Sequence, residues 1–318
     1  MRKSATNTRW SSYLFLLVNT MVWGLAFIIV KPSFEVTTPF RYLLYRFVLA
    51  AFFSLPILIY YLRRIQITWK NLAIITALES IGTGLALALV YWGLKYAGAI
   101  EANLLTSSLP IFVIAGSILL LRENQEKHEL KGMIFAVAGT LILTLIPFIL
   151  GESNSVLRLS VIGNLLILGH NLANAVYYPL AKKYYRKLPK LLVTSISFYV
   201  GILTFFVLSL FEAGSLNELL NFTVNDWQYP SVWAASLYMA VFGSIIGLTA
   251  YIKGQDGIEA SEAALFGYLQ PLIYLPLGVW LLQEKFTVWH LSGLLLITAG
   301  VYLAERRSSP AVLKPRRH

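Results

Sequence analysis

From residue 11 onward the chain alternates long apolar stretches with short polar and charged clusters, and each apolar stretch is about as long as a bilayer is thick. With ~20 helical residues needed to cross the hydrocarbon core, the pattern predicts ten spans, at 11–30, 40–62, 70–94, 100–121, 130–150, 160–181, 190–211, 229–252, 260–282 and 287–304. Apolar residues run continuously within them instead of alternating, so helices are predicted and barrel strands are not. The longest break, Glu212 to Gln228, holds Gly214, Ser215, Asn217 and Asn221 and is expected to be a polar surface loop. No small-residue cleavage site follows a stretch of signal length, so the first apolar run is expected to stay as span one.

The pattern also repeats. A shift of 161 residues brings Gly82/Gly243, Gly93/Gly254, Glu101/Glu262, Pro110/Pro271, Glu123/Glu284, Gly132/Gly293 and Gly139/Gly300 into register without a gap. Earlier spans align at 151, Lys31 onto Lys182, which places about ten inserted residues in the long loop. Residues 1–159 are therefore read as a first five-helix repeat, 160–305 as a second, and 306–318 as a basic tail. Because five is odd, the second copy enters the membrane inverted. The fold class expected is all-α integral membrane, ten transmembrane helices as two inverted five-helix repeats, an architecture that places a substrate site near the midplane.

Composition sharpens this. Hydrophobic residues make up 57% of the chain, charged residues 13%, and mean hydropathy is +0.67, far from a soluble domain. Of the 26 basic residues, all but Lys31, Arg41, Arg46, Lys95, Arg158 and Lys285 fall on one side if the amino terminus is cytoplasmic. That asymmetry predicts a multi-pass protein of the cytoplasmic (inner or plasma) membrane with both termini cytoplasmic. It also accounts for the net charge of +11 through short loops at anionic headgroups, so nucleic acid is not an expected partner. The absence of cysteine excludes disulfides, thiol nucleophiles and thiolate metal sites.

Candidate chemistry lies inside the spans. An ionisable group at a helix centre costs at least ~2.5–3.5 kcal/mol unless it meets a partner or water. Glu79 stands ~13 Å into span three at 1.5 Å per residue. It is a candidate counter-charge for a substrate amine, a proton carrier, or half of a structural ion pair with Arg46. His170 stands at similar depth with Asn174 one turn on, a candidate to share either role of Glu79, substrate binding or proton coupling, or else a hydrogen-bonded core histidine. Asn19 and Trp23 repeat that spacing in span one, Gln270 and Tyr274 flank Pro271 in span nine, and Thr106, Ser107 and Ser108 add hydroxyls in span four. Trp23 and other aromatics are expected to cover the apolar or cationic part of a substrate. The asparagines also suit interhelical hydrogen bonding. Pro110 and Pro271 are expected to bend their spans as hinges or as packing kinks. Glu101 and Glu262 open spans and are read as helix caps or mouth gates, Glu123 and Glu284 as loop anchors, and the Gly pairs as close-packing positions.

The segments "EANLLTSSLPIFVIAGSILLLRENQEKHELKGMIFAVAGTLIL" and "SEAALFGYLQPLIYLPLGVWLLQEKFTVWHLSGLLLITAGVYL" resemble the paired motif of the drug/metabolite transporter superfamily, EamA-type branch. "VWGLAFIIVK" and "LLYRFVLA" are similar to that family's first helices. The first copy departs from it, reading "LREN" where a Gly or small residue is usual before the Glu. The resemblance implies a ten-helix carrier of small metabolites, often an exporter of amino acids or related compounds.

An enzyme is not expected: G-x-S-x-G and H-E-x-x-H are missing, "HELKG" at His128 lacks the second His, and no cofactor or P-loop motif occurs. The sequence thus points to a secondary transporter exporting an amino acid or related amine by alternating access. A nucleotide-sugar or phosphate-compound exchanger and a lipid-moving protein are the alternatives. Expected partners are the substrate, the bilayer and protons as coupling ion, in a monomer or homodimer.

Overall fold

In the computed structural model, which describes residues 5–121, 127–149, 155–185, 188–254 and 266–305, helix runs through the described part of each predicted span and no strand occurs among the described residues. The first half holds α1 (Ala5–Val30), α2 (Pro39–Leu62), α3 (Trp69–Glu79) running on into α4 (Ala86–Tyr96), α5 (Ala99–Thr106) with α6 (Leu109–Leu121), and α7 (Lys127–Ile149). The second holds α8 (Ser155–Tyr184), α9 (Lys190–Ala213), α10 (Leu216–Asp226), α11 (Pro230–Tyr238) running on into α12 (Leu248–Gly254), α13 (Pro271–Leu281) and α14 (Val288–Glu305). Among the described residues, six stretches are long and apolar enough to cross a bilayer: Trp10–Glu35, Pro39–Leu62, Trp69–Tyr96, Ala99–Leu121, Lys190–Ala213 and Pro230–Tyr251. Pro271–Leu281 and Val288–Gly300 are shorter apolar helices. Glu123, Glu262 and the tail 306–318 lie outside the described residues.

Helix starts follow local chemistry. Thr38 and Thr68 cap α2 and α3 by accepting from the backbone N–H of Arg41 and Asn71, and Pro39 needs no partner for its nitrogen in the first turn. Gly214 ends α9 in the left-handed region at φ 76.

Packing follows the inverted repeat. α7 pairs with α14, α2 with α9, α4 with α8 and α1 with α12. Exchanging the two halves maps the first two pairs onto themselves and the last two onto each other, as a pseudo-two-fold axis requires. Glycines set the closest approach in α7–α14. A Cβ on Gly300 would lie 2.6 Å from the Ala136 nitrogen and the Gly132 oxygen, and one on Gly139 would lie 3.0 Å from the Gly293 oxygen. The glycine pair thus fills the role expected of it.

Three features differ from the pattern-based reading. The Glu212–Gln228 break contains a helix, α10, capped by Ser215 accepting from Glu218 N–H at 3.2 Å. Its Leu219 is buried, and Asp226 is buried beneath Arg41 (2.9 Å), Tyr45 (2.9 Å) and Thr37 (2.5 Å). Those three residues, from α2 and the turn before it, clamp the insertion onto the bundle.

The prolines do not bend continuous helices. Pro110 is the second residue of α6 and Pro271 the first of α13, each opening the second part of a broken span. In a first turn the missing N–H leaves no intrahelical bond unmade. At the first break, carbonyls accept from side chains as well as from the backbone N–H groups of Ser107 and Ser108. Leu105 O accepts from Ser108 Oγ (2.7 Å) and Asn171 Nδ2 (2.9 Å), and Asn103 O from Ser107 Oγ (2.7 Å).

Wide π turns, invisible in composition, join α3 to α4 at Ser80–Leu85 and α11 to α12 at Met239–Gly247. After α13, Gln283 takes φ 54, the one non-glycine in the left-handed region among the described residues. Gln283→Gly is expected to raise stability by about 0.5–1 kcal/mol by removing Cβ strain, measurable as a higher unfolding temperature in detergent. A lower one would show that the Gln side chain compensates the backbone.

Candidate functional site

Between the two repeats lies a cavity of about 440 Å³, walled by α1, α2, the α3–α4 span, α5, α8, α9, the α11–α12 span and Gln270. It runs from Arg46, Tyr91 and Asn103, about two turns or less from the ends of their helices, toward the end of the molecule where α9 begins, reached at Thr194 and Ser197. Aromatic side chains (Trp23, Phe27, Phe47, Tyr91, Tyr178 and Phe198) supply much of its surface.

Glu79 is the last residue of α3, 2% exposed, and lines this cavity. Its carboxylate accepts three hydroxyl bonds, from Thr83 (2.6 Å), Tyr177 (2.8 Å) and Tyr185 (3.0 Å). Local geometry makes this possible. The π turn sets Thr83 back over Glu79, and the bare Cα of Gly82 admits the Tyr177 ring, which would lie 2.5 Å from a Cβ there.

Glu79 and Arg46 do not form the ion pair considered from the sequence. Arg46 Nη1 instead donates to Tyr91 OH at 2.8 Å, its guanidinium stacks over Phe47 and Tyr91 at 5.3 and 5.8 Å, and its Nε has no hydrogen-bond partner. Tyrosine hydroxyls hold each charge in place of the opposite charge. Among the described residues, neither Glu79 nor Arg46 has a counter-ion within salt-bridge distance.

His170 is 8% exposed and both ring nitrogens face protein groups. Nδ1 lies 2.8 Å from Ala86 O, so it carries the proton, and Nε2 accepts from Asn174 Nδ2 at 3.1 Å. His170 and Asn174 thus form a braced polar section of the wall. Trp23 and Gln270 also line the cavity, with Gln270 at the start of α13.

Asn19 and Tyr274 stand elsewhere. Asn19 Nδ2 donates to Gly247 O at 3.0 Å, satisfying a carbonyl at the end of the second π turn and tying α1 to the α11–α12 span. Tyr274 is fully buried behind the wall. Thr106 and Ser107 line the cavity, but their hydroxyls bond back to carbonyls of the broken helix, and Ser108 is buried outside it.

Sequence reasoning missed Thr83, Tyr177, Tyr185 and Tyr91. A signal existed: Thr83 is one turn from Glu79, and Tyr177 and Tyr185, eight residues apart, share a helix face.

Residues 10–145 and 161–305 each match the model of the EamA-like transporter family. The chain is 27% identical to "Uncharacterized transporter YyaM" of Bacillus subtilis (strain 168), over 92% of each chain. It is 25% identical to "Uncharacterized transporter YcxC" of the same organism, over 91% of each. A solved crystal structure shares the fold at TM-score 0.58 and 16% identity, covering 93% of this chain and 96% of its own.

Proposed function

The chain belongs to the EamA-like transporter family and is a multi-pass membrane protein, and from that premise we propose that it exports an amino acid or a closely related amine by alternating access. One observation carries the substrate class. Two opposite charges, Glu79 and Arg46, line one cavity without counter-ions of their own among the described residues. Keeping both buried and unpaired is unfavourable, and a zwitterion relieves both at once, its ammonium at Glu79 and its carboxylate at Arg46. The surrounding aromatics suit the side chain and the ammonium. Protons, exchanged at Glu79, are the proposed coupling ion. The excess of basic residues on one side supports the cytoplasmic membrane with both termini cytoplasmic.

Thermal stability of the purified protein in detergent tests this against amino acids, polyamines, organic cations, nucleotides and sugars. A ligand at a hundredfold excess over Kd stabilises the folded state by about 2.7 kcal/mol. Amino acids are expected to shift the transition. Arg46→Gln is expected to weaken them about tenfold to a hundredfold, the loss of a charged hydrogen bond, while leaving amines that lack a carboxylate unaffected. A shift by nucleotides or phosphate compounds alone would discard the zwitterion reading in favour of an anion held at Arg46.

A further inference from the structure

At the end away from the cavity's reach, the two repeats are joined through the turn at Ala97–Gly98. Glu284, two residues past the end of α13's C-cap, accepts from the backbone N–H of Ala99 (2.5 Å) and Ile100 (2.8 Å), the first turn of α5. These N–H groups have no partner inside their own helix, and the positive end of its dipole favours a carboxylate there. The fit is close, since a Cβ on Gly98 would lie 3.0 Å from Glu284 Oε2. On the other side of the turn, Lys31 Nζ donates to Leu94 O at 3.0 Å and to Ala97 O. Glu101, within α5, accepts from Ser160 at 2.5 Å and faces His290 Nε2 at 3.6 Å.

Glu284 differs from the other members of this cluster in what it connects. α5 is the short first part of one broken span and carries the cavity residues Asn103 and Thr106. α13 is the second part of the other broken span. A single carboxylate therefore ties together the two interrupted helices, one from each repeat, and α5 is separated from α6 by the Ser107–Ser108 break. The left-handed Gln283 turns the chain just before Glu284, whose own N–H returns to Gly278 O at 3.1 Å.

We propose that Glu284 is the positioning residue that keeps this mouth of the cavity closed, by holding the first turn of α5 against the second repeat. The proposal rests on the reading of the chain as an alternating-access carrier. Opening this mouth exchanges two N–H bonds to Glu284 for bonds to water, so the bond is made in one state of the cycle and broken in the other.

Because the chain has no cysteine, a single cysteine reports access without background. Ala26→Cys places one on the cavity wall, and a membrane-impermeant maleimide is applied to one face of sealed vesicles at a time. The parent is expected to react from the face near Tyr185 and slowly from the face of Glu284. Glu284→Ala is expected to raise the rate from its own face about tenfold, the population shift that one charged hydrogen bond controls, and to lower it from the other. Glu284→Gln, which keeps one acceptor oxygen, should fall between and decides the matter if the Ala variant does not fold. Unchanged rates, or rates rising together at both faces, would overturn the latch and leave a structural cap. A parent inert at the Tyr185 face would overturn the carrier reading first, and the latch with it.

Discussion

Replacing Glu79 with Gln is expected to abolish ligand-induced stabilisation and to reduce transport a hundredfold or more, while the folded protein without ligand loses little. The isosteric amide keeps an oxygen for Tyr177 and Tyr185, and the Thr83 hydroxyl can rotate to accept from the new NH₂ group. What disappears is the charge, which as an ammonium partner at a desolvated site contributes about 3 kcal/mol or more. The measurements are unfolding temperature with and without amino acid, and uptake into proteoliposomes. A variant that responds to ligand like the parent would remove Glu79 from the substrate site.

Gly116→Ala is expected to be among the most damaging single-methyl additions in the molecule. Its Cβ would lie 1.8 Å from the Ala175 oxygen and 2.7 Å from the Ala175 carbon, both backbone atoms of α8. No rotamer relieves such a clash, so α6 and α8 must move apart along a face that also carries Asn171, whose amide bonds Leu105 O and Ser108 Oγ at the α5–α6 break. A loss of about 3 kcal/mol or more is expected, the upper range for overpacking, seen as a lower unfolding temperature and poor recovery of monodisperse protein. Gly214→Ala is the control. At φ 76 with nothing within 4 Å, its cost is strain of about 1 kcal/mol, so equal effects of the two changes would refute the packing argument.

The helices were legible because bilayer thickness imposes a length on every apolar run, and the repeat because Pro and Glu landed at one offset. α10 escaped notice since eleven residues rich in Asn look like a loop until a buried Asp226 is seen anchoring them. The prolines were visible, but their place in a first turn depends on where the preceding helix stops, which the hydroxyls of Thr106, Ser107 and Ser108 decide. Mid-depth drew attention to Glu79, Trp23, His170, Asn174 and Gln270, all of which the fold places on the cavity wall. Depth carries no rotational information, however. Asn19 and Tyr274 share it and face other helices. The identity of Glu79's partners was lost for a similar reason: in an apolar span a tyrosine counts as an aromatic, and only three-dimensional packing reveals which hydroxyls are aimed at a charge.

The two wide turns carry a further consequence. Shifting Ser80–Leu85 by 161 positions lands on 241–246, inside Met239–Gly247, so both halves widen at the same place. Each surplus residue rotates the following helix by about 100° relative to an uninterrupted α-helix, which is how Leu87, Val90 and Tyr91 come to face the cavity. Deleting one residue there would leave the span long enough to cross yet turn its far half toward the wrong neighbours. The matching position makes the widening a property of the five-helix unit itself, present in both copies, and not an accident of one half.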